Sequence, residues 1–153
     1  MEKDLEKKEE RLKDFANTLF QNTQTALQSI DEILKLTEDE GFKKELYREK
    51  ELYINMKNEI IDECYKLSVK PDDNNFMEKA RLWSSIKMTT IMDKSTRHLA
   101  EMMLLGTVMG TLTCYKDLSD YKGINIGLYG KLEKLMGLEE ENFNYLKKFL
   151  KEL

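Results

Sequence analysis

Residues 94–121, KSTRHLAEMMLLGTVMGTLTCYKDLSDY, decide how the rest of the chain is interpreted. They end a long apolar pattern of helical period, which predicts the central helix of a helical protein. The stretch also holds the single histidine, His98, and two glycines four positions apart, Gly106 and Gly110. We therefore expect the main packing helix here, and the first candidate residues for ligand binding lie on it.

The composition of the whole chain favours one all-helical domain. With 153 residues the chain is long enough for one domain with a substantial core and short for two. Charged residues make up 35% of it and there is one proline, Pro71, whereas β-sandwiches need frequent turn residues. We predict an all-α chain in which residues 1–153 form a single helical-bundle domain.

The charges are mixed along the chain. The 29 acidic and 25 basic residues give a net charge of -4 and form no basic face, so we expect no nucleic-acid partner. The first residues, MEKDLEKKEERLKD, lack the apolar core of a secretory signal, and no run approaches the roughly 18 apolar residues of a membrane span. We expect a cytoplasmic protein without a membrane partner.

The first predicted helix runs for about 30 residues from Leu5. Residues 1–14 are highly charged, and this segment is a candidate to extend past the bundle. Residues 15–30, FANTLFQNTQTALQSI, carry no charge. The amides and hydroxyls of this stretch have two interpretations. They could face a partner helix or a pore-like interior, or, more simply, they form a weakly polar outer face.

The second helix is predicted to begin at a capping box formed by Thr37 and Glu40 and to end before Pro71. One face of it repeats at intervals of three and four, with a single polar interruption. The predicted buried residues are Phe42, Leu46, Glu49, Tyr53, Met56, Ile60, Cys64 and Leu67. Cys64 and Cys114 both fall at such apolar positions without a CxxC pair, so we expect reduced core thiols.

The second half of the chain is predicted to supply two more long helices. The pattern from Phe76 to about Tyr121 is too long for one helix of the bundle, and the Ser- and Thr-rich residues 84–96 favour a break. We therefore expect a short helix before the third helix. The last helix is predicted to bury Tyr129, Leu132, Met136, Phe143, Leu146 and Leu150. Four long helices with short connections predict an antiparallel four-helix bundle.

Gly106 and Gly110 are predicted to mark the closest helix crossing. Two glycines inside a helix cost about 2 kcal/mol relative to alanine, which close packing would offset. We expect a neighbouring helix, or an aromatic side chain such as Tyr53 or Phe143, to fill the notch that they leave.

His98 and Glu101 are the only candidates for metal or cofactor ligands. A di-iron bundle needs Glu-x-x-His on two helices, whereas here the order is reversed and no second histidine exists. We therefore expect no metal and no other cofactor. The methionines Met88, Met92, Met103 and Met109 favour core packing, with an adaptable binding groove as the alternative. The acidic run 139–141 is predicted to be solvent-exposed.

No catalytic motif stands out. GxSxG and the phosphate-binding GxxxxGK[ST] are absent, and neither cysteine pairs with a histidine and an acid by sequence. We predict that the protein is not an enzyme.

Three segments carry a resemblance to a known group of proteins. WSSIKMTT (83–90), DKSTRHLAEMM (93–103) and GTVMG (106–110) resemble a family of small helical proteins of spore-forming Firmicutes, mostly clostridia. Glu140, Glu141 and Asn142, followed by LKKFL (146–150), are similar to the last helix of that family. The resemblance implies a ferritin-like four-helix bundle and no established activity, and the ferritin-like metal ligands do not carry over.

Two functional expectations follow. The leading one is a non-enzymatic structural or protein-interaction bundle, which allows a homo-oligomer such as a dimer, or another protein as partner. The alternative is a bundle that binds a small apolar molecule or a metal near His98, Glu101 and Met103. An enzymatic interpretation would need a charged pair buried at the bundle centre.

Overall fold

The computed structural model describes residues 1–71 and 92–151. They form the α-helices α1 (Glu2–Leu34), α2 (Glu40–Lys66), α3 (Thr96–Asp120) and α4 (Ile126–Leu146), and a 3-10 helix, Lys147–Leu150, follows α4. No strand occurs in these two ranges, so the all-α prediction is confirmed for them. The predicted short helix before the third helix, together with Met88, lies outside the described residues.

The four helices pack against one another. Helix α1 lies mainly on α2, and α3 mainly on α4, while α1 also contacts α3 and α2 contacts α4. The core lies between the four inner faces, where each large apolar side chain that is fully buried contributes about 2 kcal/mol. Among the helices of the described ranges, none is both long and apolar enough to cross a membrane.

Helix α2 buries the face that its sequence predicts. Of the eight predicted residues, all but Leu67 are buried, and they include the polar interruption, Glu49. The helix begins at a different cap, however. Asp39 Oδ1 accepts a hydrogen bond from the Phe42 amide at 2.8 Å, whereas Thr37 donates its hydroxyl to the Ile33 carbonyl at 2.7 Å. The prediction of Thr37 as the cap is wrong because a threonine hydroxyl also bonds to the carbonyl four residues earlier.

Side-chain caps also set the starts of α3 and α4. Ser95 accepts a hydrogen bond from the His98 amide at 3.2 Å, and Asn125 accepts one from the Leu128 amide at 2.9 Å. Between α3 and α4 the chain reverses through Gly123, whose φ of +80° is readily adopted only by glycine. The predicted end of the third helix near Tyr121 and the turn at Gly123 are confirmed.

The predicted face of α4 is confirmed in part. Leu132 and Leu146 are fully buried, and the other predicted residues, Tyr129, Met136, Phe143 and Leu150, are partly buried against the core. The centre of the buried face lies one position away and consists of Leu128, Leu132, Leu135, Glu139, Asn142 and Leu146. Two of these six residues are polar, so the apolar residues alone do not mark the centre of the face.

Helix α1 changes character near residue 15. The side chains of residues 1–14 are exposed, apart from partly buried Leu12, whereas burial starts at Phe15. The Phe15 ring stacks on Tyr121 with ring centroids 4.8 Å apart, which joins α1 to the end of α3.

Candidate functional site

A cavity of about 600 Å³ lies between α1 and α3 and reaches inward to α2 and α4. Helix α1 contributes mostly uncharged polar side chains, such as Asn22 and Thr25, and α3 contributes methionines and both glycines. The innermost part of the lining consists of Glu49 and Tyr53 of α2 and Glu139 of α4, all of which are buried. The residues of the uncharged stretch 15–30 that line the cavity are partly buried, so they lie between the two predicted environments, an interior and an outer face.

Glu139 is a buried carboxyl group held against the backbone of α3. Its side chain is 1% exposed, and its Oε2 accepts a hydrogen bond from the Cys114 thiol at 3.5 Å. A Cβ atom added to Gly110 would lie 2.7 Å from Glu139 Oε1, so the missing side chain at Gly110 makes room for the carboxyl group. Burial raises the pKa of Glu139 to about 8, although the thiol hydrogen bond opposes the shift.

Glu49 is the second buried carboxyl group at the cavity, and it is also 1% exposed. Burial, and then the hydrogen bond with Glu45, raise the pKa of Glu49 well above its usual range. Burial opposes ionisation of Glu45 as well, but hydrogen bonds from Arg48 and Glu49 outweigh it and lower the pKa of Glu45. The pair therefore holds its proton on Glu49 and its charge on Glu45.

Two buried polar atoms near this pair have no hydrogen-bond partner among the residues described. One is Glu49 Oε2, and the other is Asn142 Nδ2, whose side-chain oxygen accepts a hydrogen bond from Arg48 at 2.9 Å. Buried polar groups are almost always satisfied, and an unpaired one costs about 1–3 kcal/mol. Burial, and then the nearby Glu139, raise the pKa of Tyr53, so its hydroxyl stays protonated.

The cavity lining is acidic. None of its described residues is lysine, arginine or histidine, whereas three are glutamates, Glu32, Glu49 and Glu139. Glu32 is paired with Lys35 at 3.1 Å. For the two buried carboxyl groups, the described part of the lining supplies no such basic partner.

His98 and Glu101, the residues predicted as ligands, do not form a site in the described part of the chain. Both lie in the first turns of α3, but Glu101 is exposed, His98 is partly buried, and neither lines the cavity. No group of three or more potential metal ligands occurs in the described ranges. Of the predicted methionines, Met103 and Met109 line the cavity, whereas Met92 is exposed to solvent.

The role predicted for the two glycines needs correction. Gly106 does not mark a close helix crossing, because a Cβ atom added there would meet nothing within 4 Å. It lies on the open cavity instead. Gly110 does mark a close approach, but the group that fills its notch is the Glu139 carboxyl rather than an aromatic ring.

Sequence reasoning missed Glu139. The run 139–141 was predicted to be solvent-exposed, which is correct for Glu140 and Glu141 and wrong for Glu139. A signal was present, because Leu128, Leu132 and Leu135 establish intervals of four and three that continue to positions 139, 142 and 146. This spacing is hard to recognise because the other two residues of the acidic run, Glu140 and Glu141, are exposed.

The candidate site is thus an interior cavity with apolar and amide-rich walls, two buried carboxyl groups and a protonated tyrosine. Glu49 was predicted to be buried but not to belong to a site. Comparison of the chain with protein-family models, curated proteins and solved structures finds no match.

Proposed function

We propose that the protein binds a small molecule in the cavity between α1 and α3 and does not convert it chemically. The observation that carries the proposal is the pair Glu49 and Glu139, carboxyl groups buried beside a cavity with no basic residue in its described lining. Burying polar groups without good partners destabilises a fold, and strongly shifted pKa values concentrate at functional sites. A ligand that bonds to these carboxyl groups would offset the cost.

The walls of the cavity suit such a role. Small-molecule sites are mostly apolar concavities of about 300–1,000 Å³ with a few well-placed polar groups. Met102, Met103 and Met109 supply flexible apolar surface, which adapts to ligands of different shape. The polar side chains that α1 contributes are uncharged apart from Glu32, and two of them are held by bonds within the protein: Thr18 donates to Asp117 at 2.9 Å and Asn22 donates to the Gly110 carbonyl at 3.1 Å. The ligand-binding alternative is therefore retained, with the site moved from His98 and Glu101 to Glu49 and Glu139.

A binding role is favoured over catalysis by the state of the thiol in this region. Burial, and then the neighbouring Glu139, raise the pKa of Cys114 far above its usual value. A thiol that stays protonated at neutral pH is a poor nucleophile. His98 lies outside the cavity lining and is not placed to act on it as a base.

A cavity-filling substitution tests the proposal. Gly106→Leu would extend a side chain into open space, because no atom lies within 4 Å of a Cβ atom there. Gly130→Leu is the matched control, since Gly130 is a helical glycine with equally open surroundings that does not line the cavity. We expect ligands from a thermal-shift screen to raise the melting temperature of the native protein and of Gly130→Leu, but not of Gly106→Leu. If every hit stabilises all three proteins equally, the cavity is not the binding site.

We further propose that the helices are arranged as an antiparallel, ferritin-like bundle, as the resemblance to the clostridial family implies. The connections 35–39 and 121–125 support this arrangement, since helices joined by such short links are usually antiparallel neighbours.

A second candidate function, self-association, is favoured by an exposed apolar patch. Val108, Leu112 and Tyr115 lie on one side of α3 and border a shallow hollow of about 360 Å³ together with Phe143. Residues 102–115 carry no charge. A two-fold interface places the same patch on both sides, so the apolar side chains of α3 would meet their copies, with Glu140, which bonds to Tyr115 at 2.9 Å, at the border of the hollow. We take a second copy of this chain as the occupant.

Sedimentation of two charge variants tests self-association. Leu112→Glu places a charge within the patch, whereas Ile126→Glu places one at a position that is 93% exposed and outside it. We expect the native protein and Ile126→Glu to sediment as dimers at tens of micromolar, and Leu112→Glu as a monomer. A native protein that is monomeric at this concentration would overturn the second candidate.

A further inference from the structure

The charges around the cavity are unbalanced. Glu32, Glu49 and Glu139 line it, and none of the described lining residues is basic. Glu32 is paired with Lys35, so the acidic groups left without a basic partner in the described lining are the two buried carboxyls. Both are mainly protonated at pH 7, and a cation can be neutralised if Glu139 gives up its proton, whereas an anion finds no positive charge in the described lining to offset its desolvation.

The carboxyl groups at the inner end of the cavity also favour a ligand that donates hydrogen bonds. Glu49 Oε2 is buried without a partner in the part of the chain that the structure describes, and Glu139 Oε2 accepts a weak hydrogen bond from the Cys114 thiol. A carboxylate has room for about four hydrogen bonds, all as acceptor. An ammonium group offers three donors and no acceptor, and its bonds to carboxylates are the stronger, charge-assisted kind.

The cavity also offers surface for an apolar body. Its apolar lining residues include Ile33, Met102, Met103, Leu105 and Met109, and the last four belong to α3. Leu105 and Met109 are largely exposed, so a bound hydrocarbon would cover apolar surface that now faces water.

Building on the function proposed above, we infer that the ligand is an organic cation: an apolar body with one protonated nitrogen, held by the Glu139 carboxylate, with Glu49 Oε2 as a second acceptor. The nitrogen lies at the inner end of the cavity and the body lies along the methionines of α3. The amine stays protonated, and no covalent bond forms.

Binding of the cation is coupled to proton release. Since the pKa of Glu139 is about 8, its carboxyl group is mostly protonated at pH 7. An ammonium ligand binds the carboxylate, so the proton of Glu139 leaves to solvent as the ligand enters. Among the described residues, the titratable groups that interact with Glu139 are Cys114 of α3 and Tyr53 of α2, and Glu49 of α2 lines the same cavity; burial keeps all three protonated at this pH. Affinity for the cation should therefore rise with pH up to about 8.

Three eight-carbon probes that differ in their head group test the inference by isothermal titration calorimetry: octylammonium, 1-octanol and octanoate. We expect the native protein to bind octylammonium at least about tenfold more tightly than 1-octanol, and octanoate most weakly. Raising the pH from 6 to 8 should strengthen binding of octylammonium and leave that of 1-octanol unchanged. Titration in buffers of different ionisation enthalpy should show close to one proton released per octylammonium.

Two glutamine variants show whether Glu139 is the counter-ion. Glu139→Gln keeps the shape of the side chain and removes its charge, and Glu140→Gln is the control, because Glu140 is exposed and bonds to Tyr115 outside the cavity. We expect Glu139→Gln to bind octylammonium and 1-octanol alike, and Glu140→Gln to keep the preference of the native protein. Melting curves confirm that both variants are folded.

The possible failures separate this inference from the proposed function. If 1-octanol binds as tightly as octylammonium, and Gly106→Leu blocks both, the cavity is a ligand site but the ligand is not a cation. If Glu139→Gln keeps the preference for octylammonium, the counter-ion assignment is wrong. If none of the three probes binds and no screening hit is sensitive to Gly106→Leu, both proposals fail.

Discussion

Helices α2 and α4 both carry buried or partly buried acids, and the surroundings shift the pKa values of these acids in opposite directions. At Glu59 of α2, two lysines of α4 bind the carboxylate, Lys131 at 3.1 Å and Lys134 at 2.5 Å. These hydrogen bonds lower the pKa of Glu59. At Glu49, ten positions earlier on the same helix, and at Glu139 of α4, which lines the same cavity, the pKa values are raised instead, in each case chiefly by burial.

The comparison shows that α2 and α4 can pack together with a basic residue beside an acid. The same two helices place lysines opposite a glutamate where the surface is wet, and each of those pairs contributes little because it is partly exposed. At the cavity, by contrast, none of the described lining residues is basic, and Arg48, which lowers the pKa of Glu49 slightly, is bonded to Glu45. Burial of Glu49 and Glu139 therefore lowers the stability of the protein, whereas Glu59 is stabilised by its lysines. Such a loss of stability is typical of binding sites.

The largest expected effect is a pH dependence of stability caused by Glu139. Its pKa rises from 4.5 to about 8 on folding, so between these values the folded protein holds a proton that the unfolded chain has released. The stabilisation is complete below pH 4.5 and is lost as pH rises towards 8, by up to about 1.4 kcal/mol per pH unit. Urea unfolding at pH 5, 6.5 and 8 should show this decline for the native protein and a smaller one for Glu139→Gln. Identical pH profiles would mean that Glu139 is ionised in the folded protein.

A smaller effect is expected from the two glycines of α3. Gly106→Ala gains helix propensity in open space and should stabilise the protein by about 0.5–1 kcal/mol. Gly110→Ala gains the same propensity, but its Cβ would lie 2.7 Å from Glu139 Oε1 and must displace the buried carboxyl. We expect it to be at least about 1 kcal/mol less stable than Gly106→Ala in urea unfolding. Equal stability of the two variants would show that the Glu139 carboxyl moves aside freely.

The smallest effect is expected at the paired site. Glu59→Gln removes a partly exposed carboxylate that binds two lysines, so it should cost only about 0.5–1 kcal/mol at pH 7. Because the pKa of Glu59 is lowered on folding, its contribution is present above the ordinary glutamate pKa and is lost as pH falls, opposite in sign to that of Glu139. Unfolding of Glu59→Gln in low and high salt checks this, since screening should shrink the difference from the native protein. A large loss of stability that does not depend on salt would contradict the distinction between Glu59 and the buried carboxyl Glu139.

How far the sequence predicts the structure differs from helix to helix. In α2 the apolar residues fall on a single face, and the prediction found seven buried residues, including Glu49 as the one polar member. In α4 two of the six buried residues are polar, so the prediction from apolar residues placed the centre of the buried face one position away and missed Glu139 in an acidic run. Burial of a charged residue is decided by its neighbours in space, and no local pattern records them.

His98 and Glu101 illustrate the same limit from the other direction. They attracted attention because of their residue types and their spacing on one helix. Which side of α3 faces the cavity depends on how α1 and α4 pack against it, and that side carries Met103, Gly106 and Gly110 instead.

The sequence by itself determined the helices, since period, caps and breakers act over a few residues: the face of α2, the turn at Gly123 and the change of character in α1 near residue 15 could all be read from it. Only the tertiary structure decided that the amide-rich face of α1 and the glycines of α3 line one cavity, and that Glu139 meets α3 at Gly110. The physical reason is that burial, and with it the raised pKa of a carboxyl group, arises between helices that are far apart in sequence.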